Sequence, residues 1–111
     1  MTQDSSKAAY RYEIYDLVAL IPKGRVTTYG LLASFLQLPS PRMAGYALRH
    51  IPEDIQIPAH RVVSAHGILT GRAYFKSESM ATKLMAEGVS IKGIRIQKFN
   101  EILWDPYVEI I

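Results

Sequence analysis

Proline sets the segment lengths in the first half of this chain. Pro22, Pro39, Pro41, Pro52 and Pro58 each lack a backbone donor and bias the residue before them away from helix, so no helix runs through them undisturbed. Upstream of Pro22, the apolar residues Tyr10, Ile14, Leu17, Val18 and Ile21 recur at helical spacing, with Ser5 or Ser6 placed to cap the start. Pro22 and Gly24 end that helix. Thr27 and Thr28 can cap a second helix over residues 29–38, in which Leu31, Leu32, Phe35 and Leu36 form a broad buried face before Pro39, Ser40 and Pro41 interrupt it. Ser40 followed by Pro41 is the pattern of an N-cap with proline at the first helical position, which predicts a third helix from Pro41 to about Ile51. Two short helices joined by a tight proline-bearing turn form a helix-turn-helix, a motif shared by DNA binders and by helical domains with no such role.

The second half carries less punctuation. Residues 52–58 read as a proline-bounded loop, and Val62 and Val63 as a brief strand ending at the Ala65, His66, Gly67 turn. A loop follows over residues 68–76. Ser77 and Glu78 open a helix that buries Ala81, Leu84 and Met85 and stops at Gly88. The alternation of Ile91, Gly93 or Ile94, and Ile96 predicts a small strand or hairpin, after which Phe99, Ile102, Leu103 and Trp104 anchor the tail.

A length of 111 residues fits one domain spanning 1–111. The content is 49% hydrophobic and 21% charged, and no stretch approaches the roughly 20 apolar residues of a membrane span. No membrane partner is expected. The first residues, Met1 to Ala9, lack the apolar core of a secretory signal, which points to a cytoplasmic location. A net charge of +3 favours polyanions only mildly. Cysteine is absent altogether, which removes disulfides, thiolate metal sites and thiol nucleophiles from consideration. His50, His60 and His66 show no zinc spacing, so neither metal nor cofactor is expected.

The stretch Ile57-Pro58-Ala59-His60-Arg61-Val62-Val63 resembles the Pro-Cys-His-Arg-Val active-site motif of the O6-alkylguanine-DNA alkyltransferases, with Ala59 where that family has its cysteine. Upstream, Gly24-Arg25-Val26-Thr27-Thr28-Tyr29-Gly30 resembles the family's approach to its helix-turn-helix, and residues 41–49 resemble its recognition helix. Downstream, Leu84-Met85-Ala86-Glu87-Gly88-Val89 resembles its closing helix, so the likeness spans nearly all of residues 10–104. The resemblance implies a mostly α, winged-helix-like DNA-binding domain with a small β element near the C-terminus. Because the likeness begins only a few residues into the sequence, a counterpart of the family's usual N-terminal domain is not expected.

In that family the helix-turn-helix enters the minor groove and the modified guanine is flipped into a pocket. Arg42 falls where the family has the arginine that fills the gap left by the flipped base; the competing reading is an exposed residue at a helix start. Tyr29 falls at the tyrosine that crowds the target phosphate, against the alternative of a core aromatic. Ala44, Gly45 and Ala47 are small enough for close approach to DNA, and equally suited to letting helices pack. The family moves the alkyl group to a cysteine activated through a histidine and a glutamate, which His60 and Glu87 match. Ala59 offers only a methyl group, so alkyl transfer to the protein is not expected, and His60 with Glu87 become pocket architecture. A Ser64, His60, Glu87 triad can be drawn, but no Gly-x-Ser-x-Gly elbow surrounds Ser64.

Recognition parts kept and cysteine lost is the pattern of the alkyltransferase-like proteins, which bind O6-alkylguanine and mark it for nucleotide excision repair. Many members carry tryptophan at the lost-cysteine position. Ala59 departs from that and predicts a roomier pocket able to accept bulkier adducts. Arg72 sits at the spacing where such proteins place an arginine against the lesion base, although the segment 71–79 lacks the Gly-Gly element many alkyltransferases have. Arg49, Arg61 and Lys76 are weaker candidates for phosphate contacts, with Arg61 also bordering the pocket. The resemblance implies double-stranded DNA containing O6-alkylguanine and nucleotide excision repair proteins as partners of a monomer. The competing class is a helix-turn-helix regulator that reads undamaged sequence; an enzyme of other chemistry is a third. Both DNA-binding readings predict salt-sensitive affinity.

Overall fold

The computed structural model describes the backbone of residues 2–69 and 77–110 and the side chains of 9–69 and 80–110. Helix α1 (Thr2–Val18) begins well before the predicted cap, so Ser5 and Ser6 lie within it. Its buried face carries Ile14, Tyr15, Leu17 and Val18, and the chain leaves it through turns that bring Ile21 into the core. Strand β1 (Thr27–Thr28) leads directly into α2 (Tyr29–Phe35), whose first turn is capped by the Thr28 hydroxyl accepting from the Leu31 N–H at 3.0 Å.

Helix α2 ends at Phe35 rather than at Leu38. Gln37 takes a left-handed conformation (φ 59°), and the Leu38 N–H donates back to the Ala33 carbonyl at 2.8 Å. A backbone reversal at Gln37 thus stops the helix ahead of Pro39. Helix α3 (Pro41–Arg49) starts as the Ser40-Pro41 pattern predicts, with the Ser40 hydroxyl accepting from the Arg42 N–H at 3.1 Å. The Tyr15 hydroxyl donates to the Ala47 carbonyl at 2.8 Å, fastening the far end of α3 to α1.

After the loop, a single 3-10 turn (Ala59–Arg61) precedes β2 (Val62–Val63). That strand lies parallel to β1, Thr27 opposite Val62 and Thr28 opposite Val63, so the helix-turn-helix is the crossover between the two. The tail joins the same line of backbone: the Val26 N–H donates to the Ile102 carbonyl at 3.0 Å, and the Trp104 N–H to the Val26 carbonyl at 2.6 Å. One core gathers α1, α2, α3, Ala59, Val62 and Trp104.

A second, smaller core comprises Val26, Val63, Leu69, Met80, Leu84, Val89 and Ile96. Helix α4 (Ser77–Ala86) presents Met80 and Leu84 to it, while Met85, expected inside, is 51% exposed. Met80 and Leu84 are four residues apart and share a stripe; Met85 points away from it. Gly88 follows the helix at φ 94°, and the predicted hairpin forms from β3 (Ile91–Lys92) and β4 (Arg95–Ile96), antiparallel. Two single-turn helices, α5 (Phe99–Ile102) and α6 (Pro106–Glu109), close the chain, the latter capped by the Asp105 carboxylate. Among the described residues the architecture is mostly helical with a small C-terminal hairpin, as expected, and adds a parallel β1–β2 pair that was not.

Candidate nucleic-acid interface and the Ala59 site

The outer side of α3 borders a groove of about 840 Å³ lined by Tyr10, Tyr29, Pro41, Arg42, Met43, Gly45, Tyr46 and Arg49. Three tyrosines and two arginines meet there without a carboxylate among the lining residues, a composition that attracts a polyanion and offers flat rings to bases. Arg42 is exposed at the start of α3, and Tyr29 is half-buried at the start of α2. Ser40 places Arg42 by capping the helix at its amide.

The small residues of α3 divide between its two sides. Ala44 and Ala47 are fully buried in the first core, so they let α3 close on its neighbours and expose no side-chain surface. Ala44 therefore does not offer the DNA-facing surface that its size made plausible, and Gly45 is the small residue that borders the groove. Tyr46 lines the same groove and was not singled out from the sequence. Its position, four residues after Arg42 and three before Arg49, puts all three on one helical stripe, which is the signal that could have found it.

Ala59 is buried, 5% exposed, in the 3-10 turn that leads to β2. Beside it, His60 and Arg61 converge on Glu87, which follows α4. The His60 Nε2–H donates to Glu87 Oε2 at 2.8 Å. Arg61 Nη2 donates to the same oxygen at 2.6 Å and Nε to Oε1 at 3.0 Å, while Nη1 donates to the Ile21 carbonyl at 2.6 Å. The Gly24 N–H adds a bond to Glu87 Oε1 at 3.2 Å. Gly24 has φ 81°, and a Cβ there would stand 3.3 Å from the Glu87 carbonyl oxygen, so glycine serves both the turn and the approach. The Gly24 turn, absent from the expected site, is thus part of this network.

Burial alone would raise the Glu87 carboxyl, but the hydrogen bonds from Arg61, His60 and Gly24 outweigh it and hold its pKa at about 2. Burial pushes His60 below its ordinary value, against the opposing pull of Glu87, which keeps the imidazole neutral near pH 7. The carboxylate fixes the tautomer, since Nε2 must carry the proton it donates. The guanidinium of Arg61 is committed to Glu87 and Ile21 inside the protein, away from the role of a phosphate contact. Arg49 lines the groove. Arg72 and Lys76 lie outside the described residues. Among the described residues no cluster of His, Asp and Glu has the arrangement of a metal site, and no helix is long and apolar enough to cross a membrane.

The family described as 6-O-methylguanine DNA methyltransferase, DNA binding domain, matches residues 9–89. The chain is similar to Alkyltransferase-like protein 1 of Schizosaccharomyces pombe, 32% identical over 100 residues that cover 85% of this chain and 93% of that protein. It is also similar to the DNA base-flipping protein of Escherichia coli, 38% identical over 98 residues, 83% of this chain and 74% of that one. The crystal structure of S. pombe Atl1 in complex with damaged DNA containing O6-carboxymethylguanine superposes with a TM-score of 0.77 at 28% identity, over 89% of this chain and 97% of that one. The O6-methylguanine methyltransferase of Mycobacterium tuberculosis superposes with a TM-score of 0.58 at 30% identity, over 70% of this chain but only 47% of its own.

Proposed function

The chain belongs to the 6-O-methylguanine DNA methyltransferase DNA-binding-domain family, and from that membership we propose that it recognises O6-alkylguanine in duplex DNA without removing the alkyl group. The observation that carries the reading is the site around Ala59. His60, Arg61 and Glu87 are bonded together as an intact network, yet the residue beside them ends in a methyl group and the sequence holds no cysteine. An alkyl carbon presented there meets no thiolate, so binding has no covalent step to follow it.

The groove supplies the grip. Arg42, exposed at the start of α3, enters the duplex and occupies the space vacated by the flipped nucleotide, its planar cation stacking on neighbouring bases. Tyr29, which lines the same groove, presses on the backbone of that nucleotide, and Gly45 lets the helix axis come near the minor groove. The network of Glu87 fixes the loop bearing Ala59, and Arg72 contacts the lesion base on the strength of its sequence position. The S. pombe relative, seen in complex with damaged DNA containing O6-carboxymethylguanine, and the E. coli relative named a DNA base-flipping protein support this reading. A long-lived complex of this kind marks the lesion for nucleotide excision repair, whose proteins are the partners that follow, with the protein acting as a monomer.

The test is equilibrium binding to two duplexes identical except for one guanine or O6-methylguanine, followed by mass analysis of protein and DNA. At least about a tenfold preference for the lesion, equivalent to about 1.4 kcal/mol, with both masses unchanged, is the expected result. Equal affinity for the two duplexes would overturn the reading in favour of a regulator of undamaged sequence. Loss of the methyl group from the DNA would overturn its non-catalytic half.

A further inference from the structure

Tyr46 occupies the middle of the exposed stripe of α3, with Arg42 one turn before it and Arg49 one turn after. Tyr46 is 47% exposed, so much of its surface is open to a partner in the groove it lines. The ring is also held in place. The His50 imidazole stacks on it, centroids 4.1 Å apart with planes 29° from parallel, and His50 Nδ1–H donates to the Tyr46 carbonyl at 2.9 Å. One side of the phenol is thus backed by a fixed imidazole, while Tyr46 itself lines the groove with Tyr10 and Met43. An aromatic ring stacked on an imidazole and flanked along the helix by two arginines, in a groove with no carboxylate among its lining residues, has the chemistry that takes up a nucleobase within a polyanion.

We propose that Tyr46, backed by His50, is a stacking platform for an undamaged nucleobase adjacent to the lesion. The inference rests on the lesion-binding reading above and assigns to the same groove a second base contact, distinct from the position of Arg42. Stacking on the ring stabilises the distorted duplex at the moment the lesion leaves the stack, so Tyr46 contributes to affinity for flipped DNA and makes it depend on the neighbouring base. A purine there, with its larger face, binds more tightly than a pyrimidine.

The experiment uses the full chain and O6-methylguanine duplexes carrying 2-aminopurine at one position at a time around the lesion, with wild type, Tyr46→Ala, Tyr46→Phe and Tyr46→Trp. Lesion preference of the wild type is measured first: its absence would remove the underlying reading and this inference together. With preference present, Tyr46→Ala is expected to lower affinity for the lesion duplex by about 5- to 100-fold, the range of one base–aromatic stack. At one flanking position the 2-aminopurine emission should be brighter in the alanine complex than in the wild-type complex. Tyr46→Phe and Tyr46→Trp keep a ring and should stay within about threefold of wild type. Wild-type affinity of Tyr46→Ala, equal loss in the alanine and phenylalanine variants, or unchanged emission at every position would each overturn the platform while leaving lesion recognition standing. Melting temperature of each variant separates loss of contact from loss of fold.

Discussion

Glu87 receives hydrogen bonds from Gly24, His60 and Arg61, three positions more than 25 residues away along the chain. Its side chain is 11% exposed, and removing it strands the Arg61 guanidinium in the interior. Glu87→Ala is therefore expected to cost about 3 kcal/mol of stability, as breaking a buried pair typically does. Acid should dismantle the same network in two stages. His60 has a folded pKa below its ordinary 6.5, so its contribution is complete above that value and declines as pH falls through it. Glu87, held at about 2 against an ordinary 4.5, contributes fully above 4.5 and loses that contribution as pH falls toward 2. Urea unfolding against pH for wild type and Glu87→Gln checks this: the difference between them should shrink below pH 4.5 and be nearly gone near 2. A difference that stayed constant over that window would show that Glu87 does not titrate as its partners dictate. Arg42, in contrast, is an exposed residue whose replacement by alanine should move stability by no more than about 0.5 kcal/mol while abolishing lesion preference.

The helix-turn-helix depends on backbone conformations at its joint. Gln37 holds a left-handed φ of 59° in an exposed turn, where glycine is relaxed and a side chain is strained. Gln37→Gly should stabilise the protein by about 0.5 kcal/mol, because relief of that strain exceeds the entropy glycine adds to the unfolded chain. Ser40→Ala, which removes the acceptor for the Arg42 amide, should destabilise by about 1 kcal/mol. Because that cap also sets where Arg42 starts on α3, the serine variant is expected to lose DNA affinity beyond what the Arg42 side chain alone would explain, whereas the glycine variant should bind as the wild type does. Chemical denaturation and the duplex-binding assay on both variants separate the two effects.

At the scale of the whole molecule, the C-terminal tail ties the two cores together. Trp104, the single tryptophan, is 4% exposed in the first core, while its backbone N–H donates to the carbonyl of Val26, a member of the second. Arg25 reinforces the junction by donating to the Ile102 and Leu103 carbonyls and pairing with Glu109 at 3.1 Å. On the opposite side of α6, Phe35 packs edge-on against Tyr107 with centroids 5.2 Å apart, and Ser34 shares a hydrogen bond with the Tyr107 hydroxyl. Trp104→Phe should thus cost less than Trp104→Ala, the latter by about 3 to 5 kcal/mol. Unfolding followed by circular dichroism gives both values, since fluorescence is lost with the residue.

The sequence by itself determined the parts that depend on neighbours along the chain. Ser40-Pro41 set the start of α3, Gly88 the end of α4, and the spacing of Ile91 and Ile96 the hairpin. Ala59 beside His60 and Arg61, and the absence of cysteine from the sequence, were legible in the same way. Caps, turns and side-chain chemistry act over a few residues, and a string of letters contains that information. Tertiary structure alone decided which face each helix turned inward: Ala44 and Ala47 toward the core, Met80 inside in place of Met85, and Tyr46 outward beside Arg42. It also decided that β1 pairs with β2, that the tail adds to the same backbone line, and that Arg61 spends its donors on Glu87 and Ile21. These contacts join residues dozens of positions apart, and their selection follows from the summed burial of two cores, which no local pattern encodes.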